Sequence, residues 1–436
     1  MENGLKKILK MNKLDRTTAP AFHEIDSINF VLPTIKKLNN AVPYIEYNAG
    51  TEELVKIDFV FKAGTKYQTK GLVASMTSAM LKEGTNSFSS LEIANKIDFY
   101  GAFLETEVNS DYATITLYSL NKHLTNVLPV LKEILTNVNF PQEEFDKKIK
   151  IKKQQYLINL EKVETIASIG YSKHVYKGTK YENTVELNSF DEITRQDCVD
   201  YFNTFYNFGE MAIFVAGKVD SSVFELINST FGKLETPKTD SDFVFGKNDF
   251  SPTFQFIEKK GAIQSCIRIG KPIINIDHPD YNKLKVMNTI FGGYFGSRLM
   301  TNIREEKGYT YGIGSVIMAK ENMGNMIIYT EVGADVTQAA INEIRKEIKD
   351  MQTNKVTEGE LTKVKNYMLG SLLQNTDGPF DLLERYKTIY FYNLPNNYYD
   401  TYMTDIKSIT SEEIINLANT YLNDLSFIVA GSQEVS

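Results

Sequence analysis

The feature that most constrains this sequence of 436 residues is an internal repeat. The segment at 190–217, FDEITRQDCVDYFNTFYNFGEMAIFVAG, aligns with the segment at 406–431, IKSITSEEIINLANTYLNDLSFIVAG. Their Ile-Thr pairs lie 216 positions apart and their Val-Ala-Gly triplets lie 214 apart. Glu144 and Glu360, each near the start of a long helical pattern, also lie 216 apart. Three markers at nearly one offset predict two similar domains of roughly 200 residues.

Both halves of the chain show strand and helix patterns in the same order. In the first half, alternation of apolar and polar residues predicts strands at 43–47, 54–62, 102–108 and 112–119. Helical periodicity predicts helices at 71–81, 88–100, 124–138, 141–161 and 189–205. We therefore expect an α+β fold of two homologous domains, each an antiparallel-rich mixed β-sheet flanked by helices. The domains are predicted at residues 1–235 and 249–436, joined by a polar linker at 236–248 that is rich in turn-forming residues.

The composition excludes several classes of protein. With 42% hydrophobic and 24% charged residues, the chain is globular rather than disordered. A net charge of −7 argues against nucleic acid as a partner, because binding phosphates requires a basic surface. Cys198 and Cys266 are too few and too far apart for a disulfide framework or a cysteine zinc site. No stretch suits a membrane span or a signal peptide, so we expect a cytoplasmic protein without a membrane partner; a periplasmic protein would require the removal of a leader.

The segment at 291–311, FGGYFGSRLMTNIREEKGYTY, contains the densest specific information. Its glycines predict a loop whose backbone reaches conformations closed to residues with a Cβ; they are Gly292, Gly293 and Gly296. The amphipathic run at 298–307 predicts a short helix, and Gly308 follows it.

An arginine and a tyrosine are the candidate functional residues of this segment. Arg304 and Tyr311 are seven residues apart across a helix end and a turn, so a guanidinium and a phenol can be aimed at one small target. A strand is expected to begin at Tyr309 or Tyr311. The alternative interpretation is a helix–turn–strand corner with a surface arginine and two core tyrosines.

Two such domains, with a GGxFGSRLxxxIREEKGYxY segment in the second, resemble the pitrilysin family. These are inverted-zinc metallopeptidases that include insulysin, mitochondrial processing peptidase and bacterial two-subunit peptidases. The resemblance extends over roughly residues 35–431, and the helix GLVASMTSAMLKEGT at 71–85 is similar to the family's first-domain motif in its frame. It implies a clam-shell arrangement of the two domains.

The resemblance also implies that this chain lacks the zinc site of active members. Their helix carries H-x-x-E-H, in which two histidines one turn apart bind Zn²⁺ and the glutamate is the general base. The corresponding positions here are Ala74, Thr77 and Ser78, none of which is a good zinc ligand.

Other histidines and acids do not restore the site. A one-residue slip of the alignment brings in no histidine, because none lies between His23 and His123. The family's remaining ligand, a glutamate on the long helix, falls near Gln154 or Gln155. We therefore expect no cofactor in this chain, and a metal only in a partner.

The second domain keeps the other half of the family's site. In the family, an arginine and a tyrosine from this domain hydrogen-bond the peptide carbonyl and stabilise the oxyanion formed when water attacks. Arg304 and Tyr311 match those two positions. Tyr309 and the three glycines at 292, 293 and 296 are the implied substrate contacts; packing of the tyrosine and a plain turn are the alternatives.

Three functional hypotheses follow. In the first, the chain is the zinc-lacking subunit of a heterodimeric zinc peptidase. A homologous zinc-bearing subunit closes with it around an extended, unfolded peptide, and Arg304 and Tyr311 act in trans. In the second, the chain is a non-proteolytic scaffold of the same fold. In the third, it is a peptidase by itself with other metal ligands. The sequence argues against this third hypothesis, because it contains no suitably spaced pair of histidines. Homodimer formation without the partner is left open.

Overall fold

The structure is a computed structural model that describes residues 17–18, 24–182, 185–237 and 243–435. His23 and residues 238–242 of the predicted linker lie outside the described residues. The strands are β1 Thr34–Lys37, β2 Pro43–Asn48, β3 Leu54–Phe61, β4 Phe103–Val108, β5 Ala113–Leu120, β6 Met211–Gly217, β7 Phe254–Glu258, β8 Gln264–Ile273, β9 Ile313–Ala319, β10 Gly324–Gly333 and β11 Ser426–Gly431.

The helices surround these strands in both halves of the chain. They are α1 Val73–Met80, α2 Ser90–Asp98, α3 Leu124–Asn137, α4 Gln142–Asn159, α5 Val163–Val175, α6 Ser189–Glu192, α7 Arg195–Phe205, α8 Ser221–Phe231, α9 Tyr281–Asn288, α10 Thr337–Thr353, α11 Glu358–Gln374, α12 Pro379–Phe391, α13 Tyr398–Ser408 and α14 Ser411–Tyr421. No helix in the described ranges combines the length and the apolar character needed to cross a membrane.

The two sheets share one topology of five strands, and β1 adds a sixth strand at the edge of the first sheet. Their strand orders are β1-β2-β6-β3-β5-β4 and β7-β11-β8-β10-β9. In each sheet one pair is parallel, β2 with β6 and β7 with β11, and the other named pairs are antiparallel. The predicted α+β fold with antiparallel-rich mixed sheets is therefore confirmed.

The repeated Ile-Thr pair marks the start of a helix in each half. Thr194 begins α7 and Thr410 begins α14, and each side chain accepts a hydrogen bond from the backbone N–H three residues later. In return, the carboxylates of Asp197 and Glu413 accept a hydrogen bond from the backbone N–H of the capping threonine. Because this reciprocal capping satisfies helix-end donors, it explains why the same residue pattern occurs twice.

Each sheet is also covered by a helix from the other half of the chain. Helix α5 packs on β8 and β11, and α12 packs on β2 and β6. At Gly170 in α5 an added Cβ would lie 2.8 Å from Ile257 Cδ1, so the glycine permits the close approach to the second sheet. The two helices occupy corresponding positions of the internal repeat, so each half of the chain contributes the same helix to the sheet of the other half. The division into domains at 1–235 and 249–436 stays a prediction, and these two helices cross it.

The exchange explains why the central strand β6 is apolar along its whole length. One face of the first sheet packs with its own helices in a core that includes Phe59 and Phe231. The other face contributes Ile45 and Phe214 to a core shared with Leu383 of α12. A strand buried on both faces needs a continuous apolar run, as MAIFVAG provides.

Candidate functional site

The segment that contains Arg304 is a chain of helical pieces wound tightly against the second sheet. Helix α9 continues into a π-helical turn at Thr289–Gly293, and a second π-helical stretch occupies Met300–Glu306. Gly308 ends it with a φ of 66°, a conformation that favours glycine. The strand β9 begins only at Ile313, so the prediction of a strand start at residues 309–311 is wrong.

An ion pair fixes the start of this segment to the long helix α11. Arg298 donates from both Nε and Nη2 to the two carboxylate oxygens of Glu360, each at 2.9 Å. The bidentate geometry is the strong form of a carboxylate–guanidinium contact. The acid at 360, which the repeat singled out, therefore orients the helical piece that presents Arg304.

The guanidinium of Arg304 is held by two contacts and remains accessible. Its Nε donates to the backbone carbonyl of Tyr311 at 3.0 Å. Its Cζ lies 4.7 Å from the ring centroid of Phe295, a cation–π contact. The side chain is 35% exposed, so its remaining N–H donors can reach a ligand. The structure therefore brings Arg304 to the backbone carbonyl of Tyr311 and not to its phenol. That the guanidinium and the phenol are aimed at one target stays a prediction.

The phenol of Tyr311 projects from the surface. The residue is 96% exposed, and the structure shows no hydrogen bond to its hydroxyl among the described residues. The turn beneath it is firmly held, because the hydroxyls of Thr310 and Thr330 donate to Gly312 O, each at 2.9 Å. Tyr309 is partly buried and packs against the core of the second half. Tyr311 is thus anchored through its backbone while its side chain is free to meet another molecule.

The three glycines of the segment do not have the conformation that the sequence predicted. None of Gly292, Gly293 and Gly296 has a positive φ. Gly292 is required for packing instead, because an added Cβ would lie 2.5 Å from Ser315 Oγ and 2.8 Å from Ser315 N. Gly293 and Gly296 are exposed. The expectation of a loop with special backbone angles is therefore corrected to a tight helix–sheet contact at Gly292.

A pair of alanine substitutions tests this correction. We expect Gly292→Ala to lower the free energy of unfolding by about 1–3 kcal/mol, because the methyl group overpacks the contact with Ser315. Gly293→Ala is the matched control, since its Cβ would meet no atom closer than 3.2 Å. Urea unfolding followed by circular dichroism measures both. Equal stability of the two variants would contradict the packing role of Gly292.

The positions that correspond to the family's zinc motif lie inside the protein. Ala74, Thr77 and Ser78 on α1 are 0%, 0% and 4% exposed. Thr77 Oγ1 donates to the carbonyl of Cys198 on α7 at 3.4 Å. Burial raises the pKa of the Cys198 thiol to about 11, so the thiol is a neutral packing group. Helix α1 therefore presents these positions to the neighbouring helix and not to a substrate.

The fourth position of the motif is equally unsuited to zinc. Gln155 is exposed on α4, and its Nε2 donates to Asn159 Oδ1 at 3.2 Å on the same helix. Among the described residues, no group of three or more His, Cys, Asp or Glu side chains is arranged to hold a metal ion. A methyl group, two hydroxyls and an amide do not fit Zn²⁺, which takes imidazole, thiolate or carboxylate ligands.

Sequence reasoning missed Phe295 as part of the site. Its ring is 63% exposed and supports the Arg304 guanidinium. The available signal was an aromatic residue placed directly before Gly296, nine residues ahead of the arginine.

Two models of one peptidase family match this chain. The family model described as Insulinase (Peptidase family M16) matches residues 45–187, and the model described as Peptidase M16 inactive domain matches residues 192–368. The chain belongs to peptidase family M16, which confirms the resemblance seen in its sequence.

Similar proteins cover nearly the whole chain. A Helicobacter pylori protein named non-peptidase homolog YmxG is 24% identical over 416 residues, covering 92% of this chain and 94% of that protein. A Rickettsia felis protein named uncharacterized zinc protease is 23% identical over 402 residues, covering 90% and 95%. The crystal structure of a peptidase M16 inactive domain from Pseudomonas fluorescens superimposes with a TM-score of 0.83 at 21% identity, covering 93% of this chain and 100% of that one. This last likeness supports the fold alone.

Proposed function

We propose that this chain is the zinc-lacking subunit of a heterodimeric peptidase and contributes Arg304 and Tyr311 to the active site of a homologous partner. The partner carries the H-x-x-E-H helix, which supplies the metal-bound water for peptide hydrolysis. This chain binds the extended peptide and stabilises negative charge on the carbonyl under attack. We place the pair in the cytoplasm, with an unfolded peptide as substrate.

The observation that carries the proposal is the held but accessible guanidinium of Arg304. Phe295 and the Tyr311 carbonyl fix its position, and the side chain is still 35% exposed. A guanidinium is charged at any physiological pH, and a donor fixed before the reaction needs no reorganisation as charge develops. The positions at Ala74, Thr77 and Ser78 offer no metal in the same chain, so a reacting centre has to come from another chain.

The partner is expected to cover the exposed aromatic side chains beside Arg304. Tyr311 is 96% exposed and Phe295 is 63% exposed, and aromatic residues are enriched at the centres of protein interfaces. Closure of a partner over them would order the phenol and exclude water from the guanidinium. Both effects strengthen hydrogen bonds to a developing oxyanion.

The edge of the second sheet offers a place for an extended peptide. Within the described part of the chain, β9 pairs with no strand other than β10. Its other edge already has side-chain partners at Ile313 N–H and at the carbonyls of Ser315 and Ala319, so an added peptide strand would have to displace these contacts. Strand β9 begins two residues after Tyr311. A peptide that adds to this edge would run beside the turn that holds Tyr311 and Arg304, with main-chain hydrogen bonds as the sequence-independent part of recognition.

Reconstitution with a zinc-bearing homologue tests the proposal. We expect the two chains to form a one-to-one complex in size-exclusion chromatography with light scattering, and to cleave a quenched fluorescent peptide that neither chain cleaves alone. Zinc analysis of each purified chain should assign the metal to the partner. The matched control is the complex in which the partner's motif glutamate is changed to glutamine, which should form but not cleave.

The scaffold hypothesis predicts a different result from the same experiment. A non-proteolytic scaffold would self-assemble, or would bind the homologue without activating it. One tightly held equivalent of zinc in this chain would instead support a peptidase that acts alone. Either result would overturn the proposed division of labour.

A further inference from the structure

A cavity of about 320 Å³ lies among four helices of the second half, away from the positions aligned with the zinc motif. Helices α9, α11, α12 and α13 line it, and Thr289 and Gly293 close one side. Four tyrosine side chains contribute to its wall, and the lining contains no aspartate or glutamate. A volume at the lower end of the range for ligand pockets suits a small molecule rather than a peptide.

Lys285 extends into this cavity without an anionic partner. Its Nζ lies 5.0 Å from the ring centroid of Tyr402, and no carboxylate among the described residues forms an ion pair with it. Burial and the neighbouring positive charge of Arg385 lower the pKa of Lys285 to about 8. The ammonium is thus still mostly protonated near pH 7. Because a desolvated cation is normally paired in a folded protein, an unpaired one marks a place where an anion would be stabilised.

Arg385 adds a second cation to the same wall. Its Nε donates to the backbone carbonyl of Asn375 at 3.4 Å, and no described carboxylate pairs with its guanidinium. The hydroxyls of Ser371 and Thr388 also line the cavity. Two cations and two hydroxyl groups beside aromatic rings match the needs of an oxyanion attached to a small organic body.

We propose that this cavity binds a small organic oxyanion, with its phosphate or carboxylate group at Lys285 and Arg385 and its organic part against Tyr402. Bound oxyanion removes the mutual repulsion of the two cations. It also ties α9 to α12, the helix that crosses to the first sheet. The ligand would therefore join the two halves of the chain through a site that the peptidase chemistry does not use.

Titration calorimetry of the full chain with inorganic phosphate and, separately, with benzoate tests the proposal. We expect at least one of them to bind with a dissociation constant of about 1 mM or tighter. Lys285→Met should weaken that binding by at least about tenfold, because it removes a charge-assisted hydrogen bond. The matched control is Lys283→Met on the same helix, whose ammonium is already paired with Glu413 and should leave binding unchanged.

A labelling experiment keeps the test decisive if Lys285→Met does not fold. In the unmodified chain, an amine reagent followed by peptide mass spectrometry reports the reaction of Lys285, and the bound anion should slow it at least about tenfold. Phosphate binding alone would identify a phosphate ligand, and benzoate binding alone a carboxylate. Absence of binding and of protection with both anions, or equal binding by Lys285→Met, would overturn the site.

Discussion

Arg304→Ala should lower the kcat of the reconstituted pair by about 100- to 1000-fold, the effect of removing one preorganised oxyanion donor. The hydrogen bond from the guanidinium to the substrate carbonyl is strongest when that oxygen becomes negative in the transition state. Binding of the ground-state substrate, and therefore KM, should change little. The fold of this chain, and with it assembly, should be retained, because among the described residues Arg304 contacts the Tyr311 carbonyl, Phe295 and, at 3.9 Å, Glu305. Steady-state cleavage of a quenched peptide, with light scattering of the same samples, measures both quantities.

Two further variants separate oxyanion stabilisation from a general effect of charge. Lys307→Ala removes a positive charge three residues away, where the ammonium lies 3.8 Å from Glu343, and should change kcat less than about threefold. Tyr311→Phe removes a single neutral donor and should cost about tenfold. Full activity of the double variant Arg304→Ala, Tyr311→Phe would exclude the proposed role of both residues. A rise in KM with unchanged kcat for Arg304→Ala would instead assign Arg304 to substrate binding.

Much of the fold follows from patterns that repeat along the chain. Alternation located the strands, and the Ile-Thr pairs marked the repeat. The structure shows that each pair caps a helix, at Thr194 and Thr410, and that the helix predicted over 189–205 is interrupted there. Helices α5 and α12 gave no such signal. Their partners are strands of the opposite half, and a repeat indicates only that the halves are alike, not that each lends a helix to the other.

The candidate site, like the fold, could be predicted only in part from the sequence. Spacing placed Arg304 and Tyr311 in one short segment, and the structure joins them through the Tyr311 carbonyl. Spacing could not predict that the phenol would project to 96% exposure, since side-chain direction depends on how the turn packs on β10. Nor could it predict that Gly292 is required by Ser315, a residue on a strand that follows after the whole segment.

A buried ionic network joins the two halves of the chain near the start of β10. Lys66 is 1% exposed, and its ammonium contacts Asp111 at 3.0 Å, Asn322 at 3.1 Å and the carboxylate of Glu321. Asp111 also accepts a hydrogen bond from the hydroxyl of Tyr181 at 2.5 Å. Three of these residues precede the predicted linker and two follow it. The network thus connects the two halves through the buried charges of Lys66 and Asp111 and the partly exposed carboxylate of Glu321.

Lys66→Met should lower the free energy of unfolding by about 3–5 kcal/mol, because it leaves the buried carboxylate of Asp111, and the partly exposed one of Glu321, without their cation. Urea unfolding followed by circular dichroism measures the loss. The matched control is Lys70→Met, four residues along the chain, whose ammonium is 45% exposed and pairs with Asp197 at 2.8 Å. That exposed pair should contribute no more than about 1 kcal/mol.

The cause of the loss can be separated from the loss of packing by neutralising the remaining acids. If uncompensated charge is responsible, Lys66→Met combined with Asp111→Asn and Glu321→Gln should be more stable than Lys66→Met alone, although it has fewer native residues. An amide can still accept the hydrogen bond from Tyr181, and Asn322 stays in place. Additive losses in the triple variant would show that Lys66 acts through shape instead. Hydrogen exchange at residues 320–323 in Lys66→Met would then be unchanged. If uncompensated charge separates the two halves, this exchange should be faster, because the turn belongs to the second half and its buried partners belong to the first.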